Sequence, residues 1–409
     1  MKTFILLLIT FIFVVHLTYG QNFNEVKQSA EQGYAEAQYE LGKMYDKGEG
    51  TSKDVNKAFY WYEKSAEQGN AKAQYNLGSM YYFGEGTSKD VNKAFYWCKK
   101  SAEQGNAKAQ YEIGFMYYFG EGTLKDLKKA FYWFEKSAEQ GHADAQYNLG
   151  SMYANGEGTL KDLKQAFYWY KQSAEQGDAG AQYNLAFMYY NGDGTLKDVN
   201  KALYWYEKSA EQGHAVAQLN LGFMYDIGEG TLKDVNKAFY WYKQSAEQGN
   251  AEAQNNLGAM YAKGEGTLID KEHAFYWFEK SAEQGIADAQ YNLAVLYSTG
   301  EGTLKDLKKA FYWYKQSAEQ GHAVAQFNLG NKYLNGEGTL KDLKKAFYWF
   351  EKSAKQGNAM AQYNLGVMYY VGEGTLTDKI QSAYWIKKSF ENGYSDAKDF
   401  WDKFELWQY

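Results

Sequence analysis

The segment Ser-Ala-Glu-Gln-Gly returns at one fixed interval along this 409-residue chain. Its closing glycines, or their equivalents, stand at Gly33, Gly69, Gly105, Gly141, Gly177, Gly213, Gly249, Gly285, Gly321, Gly357 and Gly393. Each step is 36 residues, so ten whole units follow one another without insertion or deletion. A period in this range means a solenoid or array, in which no unit buries its apolar face alone and stacking supplies the core.

Residues 34–69 serve as the type unit. Ala35, Ala37, Gln38, Leu41, Met44 and Tyr45 recur at helical spacing, which predicts a first helix over about 35–46. Gly48-Glu49-Gly50-Thr51 stops it. A second helix runs to about Gln68, with Gly69 as its left-handed terminator. Its N-cap is Asp54, or Thr51 with Asp54 as the acidic partner three residues on. Val55, Ala58, Phe59, Tyr62 and Ala66 form its apolar stripe, widened by Trp61, while Lys57, Tyr60, Lys64 and Glu67 fall opposite. Gly42 and its equivalents are small throughout, Ala186 and Ala294 being the non-glycines, which lets the paired helices approach closely.

The first twenty residues differ from the rest. Lys2, the apolar run Phe4–Leu17 and Thr18-Tyr19-Gly20 read as a secretory signal peptide cleaved after Gly20. The run is short for a membrane span, and no comparable run follows. Residues 21–33 read as a partial repeat, 34–393 as the ten repeats, and 394–409 as a C-terminal cap containing an amphipathic helix from Asp396 to Trp407. The expected location is therefore secreted or periplasmic.

The formal charge is −6, and −7 once Lys2 is removed. All 44 basic residues are lysines, and no basic run occurs. Arginine is the usual bidentate reader of phosphate and guanine, so nucleic acid is disfavoured as a partner. The single cysteine, Cys98, excludes an intrachain disulfide. It takes the place of Tyr62 in the type unit, which makes it a buried filler.

The units AEAQYELGKMYDKGEGTSKDVNKAFYWYEKSAEQG and their copies resemble Sel1-like repeats through Ala-x-Ala-Gln, Leu-Gly-x-Met-Tyr, Gly-x-Gly, Asp-x-x-Lys-Ala and Trp-Tyr-x-Lys-Ser-Ala-Glu-Gln-Gly. The resemblance spans residues 29 to about 394. It implies an all-α, right-handed superhelix of antiparallel helix pairs, and proteins that act as adaptors through a concave groove. Tetratricopeptide repeats, with period 34 and a proline signature, fit less well. Family members often carry proline before the second helix, whereas this chain has none. A cysteine-rich exported branch is linked with β-lactam binding or hydrolysis. Its paired cysteines are missing here, so that activity does not carry over.

Differences between such similar units are informative. Glu36, Glu40, Lys43 and Lys47 share one face of the first helix, and their equivalents vary freely. The Lys43 position becomes Ser79, Phe115, Ser151, Phe187, Phe223, Ala259, Val295, Asn331 and Val367. Packing against neighbours would not tolerate such changes, so the face is expected to be exposed. In the resembling fold it lines the concave side. Phe115, Phe119, Phe187, Val216, Phe223 and Ile227 gather on it in the third to sixth repeats, and read as a groove for a protein or peptide partner. The competing account is packing against local side chains.

No residue pattern points to an enzyme, a cofactor or a metal. His142, His214 and His322 each open a first helix two or more repeats apart, and His273 replaces a Lys or Gln of a second helix. Glu67 recurs as a repeat residue, whereas a catalytic carboxylate should be singular. Asn191-Gly192-Asp193-Gly194-Thr195 lacks the spaced ligands of a calcium loop, and the Gly-Glu-Gly-Thr loops lack a phosphate loop's ending. The tyrosines at Tyr60 and every 36 residues to Tyr384 form a ladder on the polar side. They either pack between adjacent second helices or stack sugars, which makes a glycan the alternative ligand.

Overall fold

The structure, a computed structural model, describes residues 23–409. Among them are 22 α-helices and no strand. An opening helix, Phe23–Glu31, is followed by twenty helices of 13 residues each, from Ala35–Lys47 to Lys379–Glu391. The chain divides into two compact units between Trp205 and Tyr206.

Each repeat is an antiparallel pair. In the type unit the helices are Ala35–Lys47 and Val55–Glu67. Gly48 ends the first at φ 75° and Gly69 follows the second at φ 94°, both in the left-handed region. Asp54 settles the cap alternative: its side chain accepts from the Lys57 N–H at 3.0 Å. Asp126, Asp234 and Asp342 do the same in their repeats.

The two recurring motifs bond to each other. Ser65 Oγ donates to the Ala35 carbonyl at 2.6 Å, fastening the end of the second helix to the start of the first. Gln38 donates to the Ala30 carbonyl of the preceding helix at 3.2 Å and accepts from Gln68 at 2.7 Å. One glutamine thus ties its own repeat together and also ties it to its predecessor. Buried polar groups require such partners, which explains why Ala-x-Ala-Gln and Ser-Ala-Glu-Gln-Gly recur together.

Packing between repeats is aromatic. Phe59 meets Tyr81 of the next repeat edge to face, with centroids 5.3 Å apart, and Phe311 meets Tyr333 likewise at 5.2 Å. Within a repeat, a Cβ added to Gly42 would stand 2.7 Å from the Tyr62 ring, so this glycine sets the closeness of the pair. Ala58, Tyr62 and Ala66 are buried, while Val55, Phe59 and Trp61 are partly so.

The second unit closes with Asp396–Lys403, shorter than the helix expected over Asp396–Trp407. Glu405 adopts φ 52° and breaks the helix, and Leu406–Gln408 continues as a 3-10 turn. Leu406 and Ala397 pack with Ala383 and Ile386 there. Residues 1–20, read as a signal peptide, lie outside the described residues.

Candidate binding surfaces

The variable face of the first helices is exposed along part of its width. Glu36 and Lys47 are exposed, whereas Glu40 and Lys43 are half-buried and paired with each other at 3.2 Å. Phe119 and Phe187 are open in the first unit, and Val216, Phe223 and Ile227 in the second. Phe115 differs: it is partly buried against the core and packs on Phe119, with centroids 4.5 Å apart. The two rings share a cavity of about 280 Å³ with Tyr118, Tyr147, Ser151 and Glu157. Tyr118 donates to Glu157 of the next repeat at 2.7 Å, and this bond, followed by burial, raises the Tyr118 pKa. The apolar positions also extend beyond the expected third to sixth repeats. Phe83 occupies the Lys47 register and is 67% exposed, while Met360 and Val371 are open near the other end.

Two further surfaces were underread in the sequence. The Tyr60 ladder is not fully buried between second helices. Its members are 47–52% exposed. Each ring instead leans on the tryptophan that follows it, as in Tyr60–Trp61 at 5.0 Å and Tyr240–Trp241 at 4.8 Å. The second surface is a row of loop leucines, Leu124, Leu160 and Leu196 in the first unit and Leu232, Leu268, Leu304, Leu340 and Leu376 in the second. All are 86–88% exposed. Each sits in the loop just before the aspartate cap, where helical periodicity says nothing about burial. The available signal was a bulky apolar residue repeated at a position that no helix face required.

The histidines divide as their positions suggest. His214 and His322 cap first helices through Nδ1, accepting from Ala217 and Ala325 at 3.2 and 3.0 Å. His142 stacks on Tyr111 at 4.9 Å, and burial lowers its pKa. Among the described residues no three His, Cys, Asp or Glu converge as a metal's ligands. Cys98 is buried, and desolvation pushes its pKa up to about 12.

Helix pairs fastened by two repeated motifs and stacked through aromatic rings define a repeat scaffold. The Sel1 repeat family matches ten consecutive segments, 35–70, 71–106, 107–142, 143–178, 179–214, 215–250, 251–286, 287–322, 323–358 and 359–394, and the chain belongs to that family. One similar solved structure is a protective antigen of uropathogenic Escherichia coli displaying an SLR fold. It is 36% identical, with a TM-score of 0.76, over 95% of this chain and 92% of that one. Another is a Sel1 repeat protein from Oxalobacter formigenes, 34% identical, with a TM-score of 0.57, over 76% and 89% of the two chains. A search of curated proteins finds no match. Sel1 repeat proteins are typically scaffolds for protein–protein interaction and usually not catalysts. Among the described residues no helix is long and apolar enough to cross a membrane.

Proposed function

We propose that this chain is an exported scaffold that binds a protein partner through the variable face of its first helices. The observation that carries the reading is a contrast within near-identical repeats. The Asp54 cap and the fastening Gln38 and Ser65 positions are the same in all ten repeats, while the Lys43 and Lys47 registers change freely and place Phe119, Phe187, Phe223 and Ile227 in solvent. Exposed aromatic side chains of this kind are the usual anchors of an interface. The partner should offer an apolar segment with its own polar rim. Export rests on the signal-like residues 1–20.

The test compares chain 21–409 with a variant carrying Phe119→Ser, Phe187→Ser and Phe223→Ser, after far-UV circular dichroism shows equal helicity. Phe115 is left intact because it packs on the core. A partner held by the first protein and at least tenfold weaker on the second supports the reading. Equal retention by both proteins rejects the face. A second reading, glycan binding, draws on the half-exposed Tyr60 ladder. It predicts that retention is competed by free sugar and weakened by Tyr312→Ala.

A further inference from the structure

A cavity of about 460 Å³ lies between the second helices Val235–Glu247 and Lys271–Glu283, away from the variable face. Tyr261, His273, Tyr276 and Trp277 line it, with Lys243, Glu247 and Glu272. Its size falls in the range of small-ligand sites.

The array itself shows what this position accepts. In seven repeats a lysine ammonium sits over the tyrosine equivalent to Tyr261. Examples are Lys57 over Tyr45 at 5.3 Å, Lys237 over Tyr225 at 4.7 Å and Lys309 over Tyr297 at 5.0 Å. The negative face of an aromatic ring attracts such a cation. The seventh repeat lacks that lysine. His273 replaces it, stacked on Tyr261 at 5.1 Å and held by Asp270 at 2.7 Å. The residue before it is Glu272, where the other repeats carry Asn, Lys or, at position 380, Ile. A built-in ammonium has thus been removed and a carboxylate added.

The remaining charges leave Glu272 available. Lys243 and Glu247 face each other at 3.9 Å, and Asp270 accepts the His273 backbone N–H at 2.9 Å. Tyr276 and Trp277 stand nearly perpendicular, at 79° with centroids 4.9 Å apart, and form two walls of a corner. Lys280 Nζ already lies 5.9 Å from the Tyr276 ring centre. A neutral polyol would gain little from exchanging lysine for glutamate, whereas a cation gains directly.

We propose that this cavity binds an organic ammonium headgroup, trimethylammonium or primary alkylammonium, with the rings as walls and Glu272 as counter-charge. The site does not depend on the protein-binding reading, since none of its residues lies on the variable face.

Isothermal titration of chain 21–409 with choline, with Nα-acetyl-lysinamide and with 3,3-dimethylbutan-1-ol, the uncharged isostere of choline, tests it. The expected result is saturable choline binding with Kd on the order of 1 mM. The neutral isostere should bind at least about tenfold more weakly. The two cations separate a trimethylammonium source from a lysine side chain. The variant Glu272→Lys with His273→Lys restores the Lys-Lys pair that other repeats carry at 344 and 345, so its fold is secure. It should lose choline binding while the Phe119, Phe187 and Phe223 variant keeps it. No saturable binding of either cation, equal binding of the neutral isostere, a methyl glycoside that binds better, or an unaffected double-lysine variant each overturns the proposal.

Discussion

Cys98 and Glu112 show how one departure from the repeat calls for another. In the type unit burial raises the Tyr62 pKa, and Asn76 of the next repeat, beside the hydroxyl, pulls it back down. One repeat later Cys98 has no hydroxyl to offer, and Glu112 stands where that asparagine would be. Burial is the main cause raising the Glu112 pKa, with Asp144 adding to it. A carboxyl whose folded pKa lies above its unfolded value costs stability at neutral pH. That cost fades as pH falls through the raised folded value. Cys98→Tyr with Glu112→Asn should rebuild the pair and raise Tm by a few degrees at pH 7. The gain should shrink toward pH 4, which thermal melts across that range would show. Cys98 in the native protein should react with a disulfide reagent at pH 8 about a thousandfold more slowly than in guanidinium, because the thiolate is the reacting form. Equal rates in the two states would mean the thiol is not held in the core.

At the scale of the helix, the repeated glutamine is the residue with most to lose. Gln326 donates to the Ala318 carbonyl at 3.1 Å and accepts from Gln356 at 2.8 Å, and Gln356 also donates to the Gly321 carbonyl at 2.9 Å. Gln326→Leu keeps the volume but leaves buried partners unmade, at a cost of about 1–3 kcal/mol. Urea denaturation followed by circular dichroism measures it. A stability unchanged within error would show that water replaces the bonds. Helix positions were legible in the sequence to within a residue or two, because fixed glycines and a 3.6-residue stripe give the same answer in ten copies. The role of Gln38, Ser65 and Gln68 was not legible. Hydrogen bonds between residues 30 apart leave no trace in a local pattern. The candidate face was half legible. Variation marked it, but Phe115 and Phe119 share that face and differ in burial, since side chains of adjacent helices decide which ring the core accepts. The sequence left the Tyr60 ladder open between packing and sugar stacking; the structure gives its half-exposed rings a partner on their own helix.

For the whole molecule, stability should be local, since each repeat in a stack meets only its neighbours and the chain has no disulfide to join distant parts. The C-terminal cap offers a clean test. Phe400 packs against Tyr363 at 5.7 Å, Tyr370 at 5.6 Å and Phe404 at 4.4 Å, covering the outer face of the last repeat. Phe400→Ala removes that cover, a loss of about 2 kcal/mol for a partly buried ring. In a single cooperative core the loss would lower protection everywhere. In a stack it falls on the nearest helices. Amide hydrogen exchange should therefore quicken in Ala359–Val371 and Lys379–Glu391, while Ala71–Phe83 and Val91–Glu103 keep their rates. Uniform quickening along the chain would show that the repeats unfold as one body. Local quickening would mean that an exposed face can be recut in one repeat without loosening another, which is the property a scaffold with variable first helices requires.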